Sequence, residues 1–345
     1  MTAPLVTAPL VVLHGDPRTR GLGQAAACPE MAEAVRAAIR TRIAAAPVAK
    51  AEEFLAAQRA ATALLAPEAI EEISGIAAGF GLDADEVFVF LHLGCIADVA
   101  ALPEDLDGCT AFARDGVVAK NRDFRPEHVA LQRAFALGDP AWGGRSILCL
   151  GSLGAPGAWS SGMNSDGLAL ADTQIATAMH GPGLLRYFLM NRLLARRKTV
   201  AEALDDIRAL PHAGGGSLVL ADASGAAAAV ELRHGRVEIE QGAAVAHTNH
   251  YTVRPDRLAP VAHSFGRLEL LRAAMAHAAD PARILALHQP TAICRHAPDP
   301  SPTLACAIYD TNARAARIAF GPPCCTPFRW FGHGSAGWRE NRASA

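Results

Sequence analysis

The chain has 345 residues, of which 51% are hydrophobic and 19% charged, and this composition is typical of a globular protein with a large core. Its 34 acidic and 32 basic side chains give a net charge of −2, which excludes the strongly basic surface of a nucleic-acid or anionic-membrane binder. No apolar run approaches the roughly 18 residues that a membrane-spanning helix needs.

The N-terminal residues and the cysteines indicate the compartment. Residues 1–12 contain no basic side chain and include Pro4 and Pro9, so we do not expect a secretory signal. The eight cysteines are scattered, apart from the pair Cys324 and Cys325, and their spacing shows no disulfide framework. We therefore expect a reduced, cytoplasmic setting.

The first hundred residues are predicted to be mainly helical. Residues 10–14 favour a short strand. Between residues 29 and 81, apolar side chains such as Met31 and Val35 recur at the spacing of an amphipathic helix. A further helix is expected over residues 82–95, after an aspartate-containing start. This region carries few groups suited to chemistry.

The residue pattern then changes to short β-favouring segments. The first two of these segments predict a hairpin. The turn-forming pair Asp115 and Gly116 separates the two runs. Strand pairing would bring Cys109, at the start of the first strand, beside Asp123, near the end of the second. A thiol beside a carboxylate, with the cation of Lys120 close by, could form a nucleophile site.

The remainder of the chain alternates between strands and helices. The expected strands are residues 146–150, 162–170, 218–221, 226–232, 237–240 and 243–249, followed by a hairpin of residues 304–308 and 315–320. The expected helices are residues 183–195, 199–209, 265–276 and 281–287. The boundary between helical and β-rich composition falls at Gly108 and Cys109.

Cys109 could be an ordinary buried cysteine or a reactive one. A buried structural role is the common one for cysteine. However, Gly108 allows backbone conformations that other residues resist, and the predicted hairpin places a carboxylate and Lys120 opposite the thiol. On the residues alone, both roles stay open.

Asn249 lies in a polar cluster at the end of a predicted strand. Its amide could donate to a developing oxyanion, and losing such a donor costs roughly 3–4 kcal/mol of activation free energy. It could also be a turn asparagine. The neighbouring His247 and His250 could bind a metal, but no second ligand cluster with zinc-like spacing accompanies them.

Other motifs for cofactors or nucleophiles are incomplete. Cys294 and His296, and the pair Cys324 and Cys325, match no zinc-finger or zinc-ribbon spacing, so we expect neither a metal site nor a cofactor. The glycine-rich residues 214–217 lack the lysine that completes a phosphate-binding loop. No Gly-x-Ser-x-Gly nucleophile elbow is present.

Six segments, taken together and in this order, resemble the acyl-coenzyme A:6-aminopenicillanate acyltransferase family of autoproteolytic N-terminal-nucleophile hydrolases. They are Gly108-Cys109-Thr110, Asn121-Arg122-Asp123-Phe124, residues 162–168 around Asn164, Thr248-Asn249-His250-Tyr251, residues 293–296 around Arg295, and residues 303–310. The second segment is similar to the family's Asn-x-Asp-aromatic pattern. The resemblance spans most of the chain.

The resemblance implies an α+β fold in four layers, an αββα sandwich. It also implies a precursor that cuts itself between Gly108 and Cys109. Residues 1–108 would then be a helical small chain and residues 109–345 a β-rich large chain that begins with the nucleophile, both within one domain. Such a cut would explain why the composition changes at this point.

Self-cleavage would give Cys109 its own general base. The freed α-amine has a reference pKa of about 7.7–8.0, close to the working pH. By the resemblance, Asp123 would orient this amine, and Asn249 would donate to the oxyanion together with a backbone amide. The related bile-salt hydrolases carry an arginine where this chain has Lys120, and a lysine cannot make the same two-pronged contact with a carboxylate. The residues predicted to bind substrate or support the site are Thr110, Lys120, Asn121, Arg122, Asn164, His250, Tyr251 and Arg295.

These features predict a cysteine amidase or N-acyltransferase that forms an acyl-thioester on Cys109. The expected partners are a small N-acyl amide and, for transfer, an acceptor amine or acyl-coenzyme A. One alternative is an unprocessed, non-catalytic member that binds a small amide ligand. Another is a papain-type hydrolase with His250 as the base. We expect the pocket near Trp159 and Tyr187, which are aromatic side chains close to glycine-rich loops.

Overall fold

The computed structural model of the protein describes residues 10–101, 108–258, 262–277 and 280–341. Within these ranges the helices are α1 (Pro17–Ala27), α2 (Ala32–Ala45), α3 (Glu52–Leu65), α4 (Pro67–Phe80), α5 (Ala84–Leu91), α6 (Leu93–Val99), α7 (Arg186–Arg196), α8 (Val200–Ala209), α9 (Ala262–Ala276) and α10 (Pro281–Leu285). None of these helices has both the length and the apolar character needed to cross a membrane.

Fifteen strands in the described ranges form two sheets. They are β1 (Val11–His14), β2 (Thr110–Arg114), β3 (Val117–Asp123), β4 (Gln132–Gly138), β5 (Ser146–Ser152), β6 (Ser161–Asn164), β7 (Ala169–Thr173), β8 (Ser217–Ala221), β9 (Ala227–Arg233), β10 (Arg236–Gln241), β11 (Ala244–His247), β12 (Thr303–Asp310), β13 (Ala315–Ala319), β14 (Arg329–Gly334) and β15 (Gly337–Asn341). The first sheet has the order β1-β4-β5-β6-β7-β8-β9-β10, and the second β11-β2-β3-β12-β13-β14-β15. Neighbouring strands are antiparallel, except for the parallel pair β1 and β4.

Three hydrophobic clusters define four layers. The middle cluster lies between the two sheets and is rich in alanine, so the sheets can approach closely. A second cluster packs α1 to α8 onto the outer face of the first sheet, and a third packs α9 and α10 onto the outer face of the second. On β2, Ala111 and Ala113 face the other sheet while Phe112 faces the helices, as the alternation of a strand requires. The predicted αββα sandwich is confirmed.

The hairpin of β2 and β3 forms as predicted. Its turn residues Asp115 and Gly116 have φ angles of 54° and 73°, and two positive values in succession are typical of a type I′ turn. The two strands pair in register along their length. Cys109 and Asp123 therefore lie at the same end of the second sheet.

The strand predicted over residues 162–170 is instead two strands, β6 and β7, joined by a tight turn. The side-chain oxygen of Asn164 accepts hydrogen bonds from the backbone N–H groups of Asp166 (3.1 Å) and Leu168 (3.0 Å). Gly167 has a φ of 96°, which glycine adopts most easily. An asparagine that binds the backbone ahead of it favours a turn over a continuous strand, and the prediction of one strand was wrong for this reason.

Candidate active site

The three predicted catalytic residues lie at one end of the second sheet. Cys109 precedes β2, Asp123 ends β3, and Asn249 lies two residues beyond β11. Because β2 lies between β11 and β3 and is antiparallel to both, its start is beside the ends of its neighbours. All three residues line a cavity of about 390 Å³.

The carboxyl group of Asp123 is fully buried, and one of its two oxygens accepts a hydrogen bond. Its Oδ1 accepts a hydrogen bond from the Thr303 hydroxyl at 2.6 Å, while Oδ2 is buried and has no hydrogen-bond partner among the described residues. Burial raises the pKa of Asp123 to about 7, although Arg295 and the Thr303 hydrogen bond lower it. The sulfur of Cys109 lies 3.7 Å from the backbone oxygen of Asp123. The thiol thus lies against the backbone of Asp123, and both residues are buried.

Arg267, on α9, binds the residues on both sides of the predicted cut. Its Nη1 donates to the carbonyl oxygens of Gly108 (2.6 Å) and Cys109 (2.7 Å) and to the Thr110 hydroxyl (2.9 Å). Its Nη2 donates to Oδ1 of Asn249 at 2.7 Å. The guanidinium is completely buried. One cation therefore connects the junction to the predicted oxyanion donor.

The surroundings of Gly108 leave no room for a side chain at this position. A Cβ atom built on it would be 2.0 Å from Nη1 of Arg295 and 2.7 Å from Oδ2 of Asp123. This Nη1 is buried and, among the described residues, has no hydrogen-bond partner, while the rest of the guanidinium binds Asp299 at 2.6 and 2.8 Å. Two buried polar atoms that lack a hydrogen-bond partner among the described residues therefore lie beside the position before the predicted cut.

Lys120 has a partner other than the predicted catalytic carboxyl. Its ammonium forms a buried ion pair with Asp172 and donates to the Ser160 carbonyl at 3.3 Å. Arg186 binds the other oxygen of Asp172 at 2.7 Å. Burial alone would raise the pKa of Asp172, but the two cations lower it below its usual value. All three charged groups line the cavity.

Asn121 and Arg122 follow on β3 with opposite orientations. The Asn121 amide donates to the carbonyls of Leu285 (2.8 Å) and Ile293 (3.0 Å), so it fastens the segment after α10 to the sheet. Arg122 lines the cavity, with its guanidinium carbon 4.6 Å from the centre of the Trp159 ring. Arg122 therefore contributes to the cavity wall, whereas Asn121 supports the structure behind it.

Asn164 lies outside the cavity lining. Besides its turn contacts, its amide nitrogen donates to the carbonyls of Leu194 (2.9 Å) and Arg197 (2.7 Å) at the end of α7. Its observed contacts therefore fix a turn and a helix end, and the structure does not bring it to the other predicted residues.

His250 and Tyr251 both line the cavity. Nδ1 of His250 is 2.8 Å from the Ser264 hydroxyl, and burial, with the charges of His247 and Arg267, lowers the pKa of His250 to about 4. A general base works best with a pKa near the operating pH, so this value disfavours the papain-type alternative. The Tyr251 hydroxyl donates to a backbone carbonyl at 2.9 Å.

A family model described as acyl-coenzyme A:6-aminopenicillanic acid acyl-transferase matches residues 112–324, more than half of the chain. The chain belongs to this acyltransferase family. The matched range begins after Cys109 and includes both Asp123 and Asn249. The family predicted from the six segments is confirmed. Among curated proteins, none matches the chain.

The solved structures to which this member of the acyltransferase family is distantly similar include two enzymes from bacteria. A mutant of conjugated bile acid hydrolase from Clostridium perfringens is 12% identical, with a TM-score of 0.41, and the match covers 62% of this chain and 89% of that one. Penicillin V acylase from Agrobacterium tumefaciens is 16% identical, with a TM-score of 0.37, and the match covers 66% and 81%. Likenesses at this level carry no argument about chemistry.

The cavity of this acyltransferase-family chain has an aromatic wall. Trp159 packs against Phe90 (5.2 Å between ring centres), Phe124 (5.5 Å) and Tyr187 (5.8 Å), and all four residues line the cavity. The sequence prediction of a pocket near Trp159 and Tyr187 is confirmed. Such a wall suits an apolar or aromatic group of a ligand.

Sequence reasoning missed Arg267, although the sequence contains a signal for it. The predicted helix of residues 265–276 buries Leu268, Leu271 and Met275. Arg267 is four residues before Leu271 and so lies on the same helix face. A charged side chain on the apolar face of a helix needs a buried partner, and here the partners are the carbonyl oxygens at the junction.

The two histidines beside Asn249 have polar partners of their own. Nε2 of His247 is 3.0 Å from a Glu231 carboxylate oxygen, and Nδ1 of His250 is 2.8 Å from the Ser264 hydroxyl. Within the described residues, one group of four side chains has ligand atoms close enough together to hold a metal ion, and it lies outside the cavity lining. Its members are His288, Cys294, His296 and Cys324.

Proposed function

We propose that the chain is an autoproteolytic N-terminal-nucleophile enzyme that hydrolyses or transfers the acyl group of a small N-acyl amide through Cys109. The observation that carries this proposal is the contact of Arg267 with the Gly108 carbonyl at 2.6 Å. This carbonyl belongs to the bond that self-cleavage must break. A buried cation in contact with it is suited to stabilise a negative charge on its oxygen.

The first step would be an acyl shift from nitrogen to sulfur. The Cys109 sulfur forms a bond to the Gly108 carbonyl carbon, the charge develops on the oxygen held by Arg267, and the C–N bond breaks. The thiol proton ends on the freed amine. Water then hydrolyses the thioester, which leaves a carboxylate on Gly108 and regenerates the thiol.

The Oδ2 atom of Asp123 supports a role after the cut. In the intact chain, Oδ2 is buried without a hydrogen bond among the described residues, and it faces Gly108. Cleavage converts the amide nitrogen of Cys109, next to Gly108, into an amine that can donate to this oxygen. A charge-assisted bond of that kind is roughly twice as strong as a neutral one. Asp123 would then hold the amine where it can accept the thiol proton.

Asn249 would serve the reaction with the external amide. Arg267 donates to its Oδ1, so the amide is oriented with Nδ2 as the donor, and one Nδ2 hydrogen binds the Gln174 carbonyl at 2.8 Å. The second hydrogen can donate to the oxyanion that forms when Cys109 attacks the substrate carbonyl. Collapse of this intermediate would release the amine and leave an acyl-thioester, which water or an acceptor amine resolves.

The cavity favours a small substrate with an apolar acyl group. Its volume of about 390 Å³ lies at the small end of the range for ligand pockets. Trp159 and Phe124 supply an aromatic surface in the cavity that Cys109 also lines, and Lys120 and Arg186 are both engaged by the Asp172 carboxylate in the same lining. The aromatic surface therefore offers apolar contacts for the acyl group.

Trapping of the acyl-enzyme tests the proposal. Processed protein is mixed with a panel of N-acyl p-nitroanilides that runs from acetyl to arylacetyl, quenched with acid and examined by intact and peptide mass spectrometry. We expect an acyl adduct on the peptide that begins at Cys109, strongest for arylacetyl groups, and no adduct after alkylation of Cys109 with iodoacetamide. Binding of the amides without any cleavage would instead support the non-catalytic alternative.

A further inference from the structure

A cluster of two thiols and two imidazoles lies apart from the cavity. One ligand atom from each of His288, Cys294, His296 and Cys324 lies within 4.8 Å of all the others. The two sulfurs are 3.7 Å apart. Nε2 of His296 is 3.7 Å from the Cys294 sulfur and 3.2 Å from the Cys324 sulfur.

These separations are close to those of a tetrahedral zinc site. With Zn–S bonds of about 2.3 Å and Zn–N bonds of about 2.0–2.1 Å, tetrahedral geometry places two sulfurs about 3.8 Å apart, and a sulfur and a nitrogen about 3.5 Å apart. Three of the observed distances lie within a few tenths of an ångström of these values. We propose that these four residues bind a Zn²⁺ ion.

The chemistry of the donors also favours zinc. Two thiolates with two imidazoles are a common donor set of structural zinc sites, and hard cations such as Mg²⁺ and Ca²⁺ prefer oxygen. Nδ1 of His288 is 2.9 Å from the Cys294 carbonyl. A histidine that binds a metal usually donates its other ring N–H to such a carbonyl. With Nδ1 of His288 bound to this carbonyl, Nε2 is the atom that would bind the metal.

The four ligands come from two separate loops. His288, Cys294 and His296 belong to the segment between α10 and β12, and Cys324 lies between β13 and β14. Cys294 is buried and the other three residues are exposed, so an ion can enter from solvent. A bound ion would therefore cross-link two loops that pack on the same sheet.

A disulfide between Cys294 and Cys324 would explain the thiols alone. Its S–S distance would be about 2.05 Å, and the sulfurs lie 3.7 Å apart as free thiols. A disulfide would not explain why the side chains of His288 and His296 lie at the same point. Zinc accounts for all four side chains.

The first ligand loop also carries Arg295. This residue lies between Cys294 and His296, its backbone N–H donates to the Thr303 hydroxyl at 3.0 Å, and that hydroxyl donates to Asp123. Zinc would hold this loop, and with it the guanidinium beside Gly108. This link to the junction rests on the proposed function, whereas zinc binding itself does not.

Metal content and cobalt spectroscopy test the site. Protein expressed with zinc and freed of loose metal by gel filtration is expected to retain about one Zn²⁺ per chain, the content of a single closed site. After removal of zinc with a chelator, addition of Co²⁺ should give the strong visible bands of a tetrahedral site and a sulfur-to-cobalt charge-transfer band. A wild-type chain that retains no zinc and gives only the weak spectrum of hydrated Co²⁺ would overturn the proposal.

Two neighbouring cysteines provide a matched pair of variants. Cys324→Ser removes a ligand and should abolish retention of zinc. Cys325→Ser should retain it, because the Cys325 sulfur contacts the Pro322 carbonyl at 3.7 Å and is not in the cluster. Equal zinc content in both variants, or a Cys294–Cys324 disulfide in freshly purified wild-type protein, would contradict the proposal. These readouts do not depend on processing, so zinc bound to an uncut, inactive chain would overturn the proposed function and leave the metal site in place.

Discussion

Nη1 of Arg267 donates to the carbonyl oxygen of Gly108 at 2.6 Å, inside the protein and away from solvent. The same guanidinium donates to Asn249 at 2.7 Å. The bond proposed to be cut and the proposed oxyanion donor for substrate therefore share one buried cation. Self-cleavage and turnover are therefore expected to respond differently to changes at these residues.

Arg267→Met should slow self-cleavage by a factor on the order of a hundred or more, because it removes the donor to the developing oxyanion. The measurement is a time course of intact mass on freshly translated protein. Arg272→Met is the matched control, since Arg272 lies on the same helix with a half-exposed side chain that contacts Glu240 at 3.9 Å. A folded Arg267→Met chain that is cut as fast as this control would contradict the role.

Gly108→Ala should also slow processing, on the order of a hundredfold, because its Cβ would displace Arg295 or Asp123 from the junction. Once cut, the enzyme should have normal kcat, since residue 108 is no longer joined to the nucleophile. Gly242→Ala is a suitable control, because its Cβ would meet nothing nearer than 3.6 Å. Rapid processing of Gly108→Ala would show that the crowding at this position has no part in the cut.

The raised pKa of Asp123 predicts a pH-dependent stability of the uncut chain. The folded-state pKa of about 7 lies above the ordinary 3.8, so between these values the folded chain binds more protons than the unfolded chain. Stability is therefore lost as the pH rises through this window. An asparagine at position 123 carries no charge and so does not have this pH-dependent cost. In a Cys109→Ala background, Asp123→Asn should raise the melting temperature more at pH 8 than at pH 5, and an equal effect at both values would contradict the assignment.

Asn249→Ala should lower kcat of processed enzyme by a factor on the order of a hundred, with little change in KM, because the donor acts on the oxyanion. Steady-state kinetics with the best amide of the panel measure this effect. The exposed turn residue Asn312 provides the control variant Asn312→Ala. A raised KM with unchanged kcat would make Asn249 a residue of substrate binding instead.

Local signals were sufficient for the hairpin. The Asp115-Gly116 turn and the two β-favouring runs predicted which ends would meet, and the structure places Cys109 beside Asp123 accordingly. The αββα layers followed from the family resemblance, and the hydrophobic clusters confirm them. These features depend on contacts within short segments or on patterns along the whole chain.

Long-range contacts were not predictable from spacing. Arg267 lies 159 residues from Gly108 in the chain, and only the packing of α9 on the second sheet brings them together. Cys324 lies 30 residues from Cys294, which matches no sequential zinc motif, although the folded loops bring the sulfurs together. Asn164, which a family-like segment suggested as a site residue, ends β6 and binds the turn after it, outside the cavity lining.

Self-cleavage before Cys109 can be read from the mass of the purified protein. We expect two polypeptides, residues 1–108 and 109–345, with Cys-Thr-Ala-Phe as the N-terminal sequence of the larger one. Cys109→Ala should remain a single chain, while Cys149→Ala, which changes another buried cysteine, should still be cut. A wild-type protein with the mass of the whole chain, or a Cys109→Ala variant cut at the same bond, would contradict self-cleavage by Cys109.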